Sequence, residues 1–438
     1  MPLTGSVFLQ GLALSLGLIV AIGAQNAFIL RQGLRREHVT SVVLFCAVTD
    51  ALLIAAGVLD MAQALGERPL VANILALAGA VVNTKQFAYS YLLAFMVFLS
   101  LCLGSLFLVI LHHIMDAGWS VPIRRFVEHL ANLAPVMAVL FIPIAILAKQ
   151  IYPWMSIDPK TDHALHAKDV LLNSAAFYAV AAGLFVVWTF LARGLRNASL
   201  EQDKTGSSAC TYVMRRYAAV GIFLFAITLT LAVIFWMKSI QHQWFSTMYG
   251  VYYFAASVWL TLSTSYVIAL VLKRTGPLKD VVGNRQFHDL GVLMFAFTVF
   301  YAYVNFSQYF LIWNAAVPEE TFWYVQRERG SWWGVGMVIL FGHFVLPFLL
   351  MLRIDAKLNP AVMIPLCVWA WMMHFCDMSF NIMPVLHPEG FVLHWIDVGC
   401  MALFAGVLSK VFLTNLHRHP MFPQRDPCMA EALGVHVE

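Results

Sequence analysis

Runs of about twenty apolar residues recur along the whole chain, and no water-soluble core can bury that many. A helix crossing the roughly 30 Å of bilayer hydrocarbon needs about twenty such residues, and stretches of that length lie near 7–30, 40–61, 88–114, 130–151, 172–192, 217–237, 247–272, 289–313, 332–352, 361–383 and 391–413. A further apolar piece, 69–82, is short for a span and reads as re-entrant or truncated. Composition agrees: 61% of residues are hydrophobic and 11% charged, against about 25% charged in a soluble domain. The expected fold is an all-α polytopic bundle of about eleven transmembrane helices.

Lysine and arginine set the expected orientation. If 69–82 does not cross, nineteen of the 27 Lys and Arg residues fall on one side. That places the N-terminus outside and the C-terminal tail, from about 414, in the cytoplasm. The polar run 194–215 reads as a flexible connector, and the tail from His417 as an extended arm. The +4 net charge is not gathered into a cluster dense enough for nucleic acid. Seven cysteines are scattered with no CxxC and no CxxCH, so neither c-type haem nor iron–sulfur ligation is encoded and no metal site is expected.

Polar groups inside spans are the candidates for chemistry, because hydrocarbon offers them no partners. His374 and Asp377 stand three apart and share a helix face, and His394 and Asp397 repeat the spacing on the next span. A His–Asp pair can hold a hydroxyl group and accept its proton, or simply tie two helices together. His343 lies mid-span just before Pro347, which frees a backbone carbonyl; it reads either as a proton-relay group or as a satisfied core histidine. Glu319 and Glu320 follow Pro318 in what reads as an acidic, outward loop, and they join both His–Asp pairs and His343 as the candidate binding or proton pathway. His288 and Asp289 read as a helix start, His112 and His113 as a helix end, and Trp244, Trp259, Trp332 and Trp333 mostly as interface anchors.

Two family resemblances divide the chain. The segments FSQYFLIW (306–313), PEET (318–321) and HFVLPF (343–348), with HDLG (288–291) and the tail DPCMAEAL, resemble the NrfD-like membrane subunits of alternative complex III, a quinol:cytochrome c oxidoreductase. The resemblance starts near Asn83 and covers about four fifths of the chain. It implies a multi-pass subunit of the bacterial cytoplasmic membrane that contributes to quinol binding or proton translocation, the candidate pathway then being one for quinone or protons. It also implies menaquinone or ubiquinone as the redox partner, and companion subunits carrying haem c and iron–sulfur clusters, with a second NrfD-like subunit beside them. Such a subunit is not catalytic alone. Residues 1–82 instead resemble the first helices of LysE-type amino acid exporters, through Gly23, Gln25 and Asn26 of the GAQN motif, the basic turn Arg35–Arg36, and Asp50 in mid-membrane. Asp50 would pair there with a cationic substrate. The alternatives to the respiratory reading are therefore a basic amino acid exporter, or a membrane scaffold without a site of its own.

Overall fold

A computed structural model describes residues 83–433, which belong to one compact unit, Ala62–Glu438. Among the described residues there is no β-strand, and nine helical runs are long and apolar enough to cross a membrane. They answer one for one to the nine spans expected from residue 88 onward. The expected spans 7–30 and 40–61, the short piece 69–82, and Gly23, Gln25, Asn26 and Asp50 lie outside the described residues.

The bundle is built around α1 (Thr84–Met115). Asn83 caps it by accepting from the Gln86 N–H at 3.1 Å, and Asp116 ends it in the left-handed conformation. This helix is apolar on all faces, the pattern of one buried on all sides, and it packs against α2 (Val121–Ala131), α6 (Ala209–Trp236), α7 (Tyr249–Thr275), α12 (Pro360–Ile382) and α13 (Trp395–Arg418). Its approach to α7 depends on Gly104. A Cβ there would overlap the Ser257 carbonyl and the Thr261 hydroxyl, and small residues let membrane helices close in this way. Tyr253 Oη then donates to the Met96 carbonyl at 2.7 Å.

The structure corrects the expected layout in four places. The span expected at 130–151 starts at Gly118 and is broken into α2, α3 (Ala134–Leu140) and α4 (Ile142–Ile146), because Pro135 and Pro143 open new helical turns. The connector expected at 194–215 is mostly helix. Here α5 (Ser174–Thr205) runs to a left-handed Gly206 and α6 begins at Ala209, the polar stretch being held by the Arg125–Asp203 ion pair and by Gln202 donating to Thr211 at 2.7 Å.

After α8 (Asn284–Ala315), the acidic loop at Glu319 and Glu320 is the first turn of α9 (Pro318–Arg327). Proline at the first position and acids next to it are a helix start, favoured by the positive end of the helix dipole. The tail is not an extended arm. It folds back beneath the bundle: Arg124 donates to Asp426 at 2.7 Å, Gln286 to the Ala432 carbonyl at 3.2 Å and Arg425 to the Lys204 carbonyl at 2.8 Å, and it ends in α14 (Met429–Ala432).

Candidate functional site: a buried His–Asp–Tyr cluster

Five helical segments bring polar groups together inside the bundle. Between α10 (Trp332–Ile339) and α11 (Leu346–Met351) the chain widens into a π-helical turn, Leu340–Val345. Pro347 explains the turn. It has no N–H to give, so the ladder shifts to a bond from the Leu346 N–H to the Phe341 carbonyl, and the Gly342 carbonyl accepts instead from Trp369 Nε1 at 2.8 Å. The widened turn presents His343 to the core. Its ring lies between Trp259 of α7 and Tyr301 of α8, with centroids 4.0 and 3.8 Å away and nearly parallel planes.

On α12, His374 and Asp377 share a face as expected, and both are fully buried. Asp377 Oδ1 accepts two phenolic hydrogen bonds, from Tyr252 of α7 and from Tyr301 at 2.9 Å. Tyr252 in turn accepts from Asn381 Nδ2 at 2.8 Å, and Asn381 Oδ1 accepts from Tyr249 at 2.7 Å. His374 Nε2 meets Ser100 Oγ at 2.8 Å, and the Ser100 hydroxyl donates to the Val97 carbonyl at 2.7 Å. Serine has one proton to give. Ser100 therefore accepts from His374 Nε2–H, which leaves Nδ1 as the bare lone pair of that ring.

Ligand-capable atoms of His343, His374 and Asp377 lie within 4.8 Å of one another. Four buried polar atoms here have no hydrogen-bond partner: Asp377 Oδ2, His374 Nδ1, and both nitrogens of His343. Leaving such an atom unpaired costs about 1–3 kcal/mol, so each one calls for a bound water, an ion or a chemical role. The bare Nδ1 of His374 and the open Oδ2 of Asp377 are both acceptors, so the cluster is disposed to receive a proton.

Arg327, at the end of α9, is itself buried and extends the polar network beyond the cluster. Its guanidinium stacks 3.4 Å above the Trp323 ring and donates to the carbonyls of Phe380 (2.8 Å), Asn381 (2.9 Å) and Trp323 (2.9 Å). Hydrogen bonds therefore run from Asp377 through Tyr252 to Asn381, whose carbonyl faces Arg327.

The other expected site residues lie elsewhere. His394 and Asp397 form a helix cap: Asp397 Oδ2 accepts the His394 N–H at 2.8 Å, and Oδ1 accepts from Ser90 at 2.5 Å. Gln86 joins them and meets His387 Nε2 at 2.8 Å, where burial lowers the His387 pKa. Glu319 and Glu320 stand at the start of α9, where Glu320 contributes its carbonyl to Trp244 Nε1 at 3.0 Å. His112 is held by Ser120 (2.7 Å) and Arg124 (2.8 Å) in the ionic end of the bundle, and the His288–Asp289 contact of 3.3 Å is a partly exposed helix-start pair. Of the four tryptophans expected at the interface, only Trp333 is exposed. Trp244, Trp259 and Trp332 are buried because each finds an acceptor inside, respectively the Glu320 carbonyl, Thr298 and the His387 carbonyl.

Sequence reasoning did not single out Tyr252, Asn381, Ser100 or Arg327. Tyr252 and Ser100 each stand among several other tyrosines and serines on their helices, and nothing local marks which of them, or Asn381 and Arg327, meets a partner on a distant segment.

Residues 16–84 match the LysE type translocator family model. Similar proteins include the arginine exporter protein ArgO of Yersinia enterocolitica, 39% identical over 74 residues, which are 17% of this chain and 36% of that protein. ArgO of Klebsiella pneumoniae (strain 342) is 40% identical over 72 residues, 16% and 34% of the two chains. ArgO of Escherichia coli (strain K12) is 41% identical over 64 residues, 15% and 30%. The chain thus spans about a third of the length of these relatives. The translocator match ends at residue 84, where α1 begins, and includes no residue of the His–Asp–Tyr cluster.

Proposed function

We propose that residues 83–438 are an integral membrane subunit of a quinol-oxidising respiratory complex, of the alternative complex III type, and that the Asp377–His374–His343 cluster takes up and passes protons there. One observation carries the reading: three titratable side chains on two membrane helical runs face one another with four unpaired polar atoms, linked by Tyr252 and Asn381 toward Arg327. A bundle tie would satisfy its own hydrogen bonds. A group that gains and loses protons keeps an acceptor free in one of its states.

The cluster is wholly enclosed, which suits proton transfer better than accommodation of a whole quinone ring. Quinol oxidation releases protons and electrons together, and the bare His374 Nδ1 and Asp377 Oδ2 would receive protons while the electrons leave through partner subunits carrying haem c and iron–sulfur clusters. A second NrfD-like subunit is the expected neighbour, the quinol ubiquinol or menaquinol, and the location the bacterial cytoplasmic membrane. The test is purification from the native membrane under mild detergent: co-elution with haem-c subunits and quinol:cytochrome c activity is the expected result, and a haem-free, solitary chain would exclude the reading.

The match over residues 16–84 favours a second reading for that segment, export of a basic amino acid, since the relatives it resembles are named arginine exporters. Asp50 would then meet the cationic side chain in the membrane. Arginine efflux restored by this chain in an exporter-deficient strain, and lost in Asp50→Asn, would support that reading; no efflux above the empty vector would end it.

A further inference from the structure

At the end of α6 a cavity of about 290 Å³ opens between the segment before α5 and the residues that follow Trp236. Its walls include Val170, Leu171 and Ile234, and its rim carries two ammonium groups, Lys168 and Lys238. Lys168 Nζ donates to the His242 carbonyl at 2.6 Å. The acid nearby, Asp162, is already engaged, accepting from His242 Nε2 at 2.8 Å and from the Leu165 N–H at 3.0 Å. Among the described residues no carboxylate forms an ion pair with Lys238. Two cations therefore border an apolar hollow, Lys238 without a counter-ion and Lys168 with only Asp162, which His242 already engages.

The hollow continues into an apolar stripe. Ile234, Ile227, Phe223 and Val220 follow one another at helical spacing along α6, and the last three are exposed. From Ile234 to Val220 the helix rises about 21 Å, more than half of the ~30 Å hydrocarbon core. A ligand that fits has an anionic head at the rim and a hydrocarbon tail along the stripe.

We propose that this cavity binds an anionic phospholipid, with the phosphate between Lys168 and Lys238 and an acyl chain laid along Val220, Phe223 and Ile227. Basic pockets between membrane helices hold acidic lipid headgroups, and the same charge pairing applies in either leaflet. Burial, and the neighbouring charge of Lys168, press the Lys238 ammonium down to about 8, and burial also lowers Lys168. Asp162 offsets part of the burial of Lys168, no acid does so for Lys238, and a phosphate would supply the missing anion. The site is separate from the His–Asp–Tyr cluster and does not depend on what that cluster does.

The experiment is native mass spectrometry of the delipidated full-length protein, in its complex where one forms, titrated separately with cardiolipin, phosphatidylglycerol, phosphatidylcholine and inorganic phosphate. The expected result is retention of the two anionic lipids over phosphatidylcholine, with about fivefold weaker binding for each of Lys168→Gln and Lys238→Gln and recovery in Lys238→Arg. Thermal unfolding of lipid-free samples checks that the variants are folded. Equal retention of phosphatidylcholine, or unchanged binding in folded Lys168→Gln/Lys238→Gln, would overturn the proposal. Inorganic phosphate binding as strongly as the lipids would overturn the acyl-chain assignment.

Discussion

Replacing Asp377 with asparagine separates proton chemistry from packing more cleanly than any other change at the cluster. The amide is nearly isosteric, and its oxygen can still accept from Tyr252 and Tyr301. Hydrogen bonds to a charged acceptor are worth about 1.5–3 kcal/mol and neutral ones about 0.5–1.5 kcal/mol, so two weakened bonds cost about 2–3 kcal/mol. Removing a buried carboxylate whose second oxygen has no partner offsets a good part of that. The net change in stability is therefore about 1 kcal/mol in either direction, and the protein stays folded. Proton transfer is another matter. An amide cannot gain or release a proton at neutral pH, and a positioned acid–base group contributes about 10²–10⁴-fold to rate. The assay is quinol-driven cytochrome c reduction by the purified complex, with proton release followed by a pH dye and thermal unfolding measured on the same sample. The expected outcome is turnover lower by at least about 100-fold with an unfolding midpoint within a few degrees of the parent. Normal turnover in a folded Asp377→Asn complex would refute the role, and a large loss of stability in proportion to activity would reduce Asp377 to a tie between α7, α8 and α12.

Three further outcomes follow from the packing. Gly104→Ala drives a methyl into the Ser257 carbonyl and Thr261; overpacking of this kind costs about 1–3 kcal/mol, visible as a lower unfolding temperature in detergent. Asp426→Ala strands the buried Arg124 guanidinium, which keeps only Glu128 at 3.0 Å as an acidic partner; breaking a buried pair costs about 3–5 kcal/mol, and limited proteolysis is expected to cut the released tail after residue 418 first. Lys238 bears on pH. Its pKa is lowered on folding, to about 8 from 10.5, so the folded state binds fewer protons than the unfolded state across that window and stability rises with pH there. The penalty is present in full below pH 8 and fades toward pH 10.5. Lys238→Gln is expected to flatten this rise, and an identical slope in parent and variant would contradict it.

The apolar runs were enough to number the described spans, because length and hydropathy govern membrane crossing wherever the chain is used. They did not place the helix ends. Pro135 and Pro143 broke one span, Gly206 shortened the connector to three residues, and Pro318 with two acids turned a loop into a helix. In each case the local cap or proline outweighed composition. At the site, the spacing of His374 and Asp377 correctly put both on one face, whereas the same spacing at His394 and Asp397 produced a cap, since that pair stands at a helix start rather than within a helix. The partners Tyr252, Tyr301 and Ser100 come from segments 76 to 274 residues away, and no local pattern encodes a contact at that distance. His343 stood out by its mid-span place before Pro347, but its ring partners Trp259 and Tyr301 emerged only with the π turn.

Redox-triggered infrared difference spectroscopy of the complex reads the protonation of Asp377 directly. On quinol oxidation the account predicts a carboxyl C=O band that moves on ¹³C-aspartate labelling and vanishes in Asp377→Asn. A difference spectrum with no carboxyl band, or one that Asp377→Asn leaves unchanged, would contradict it.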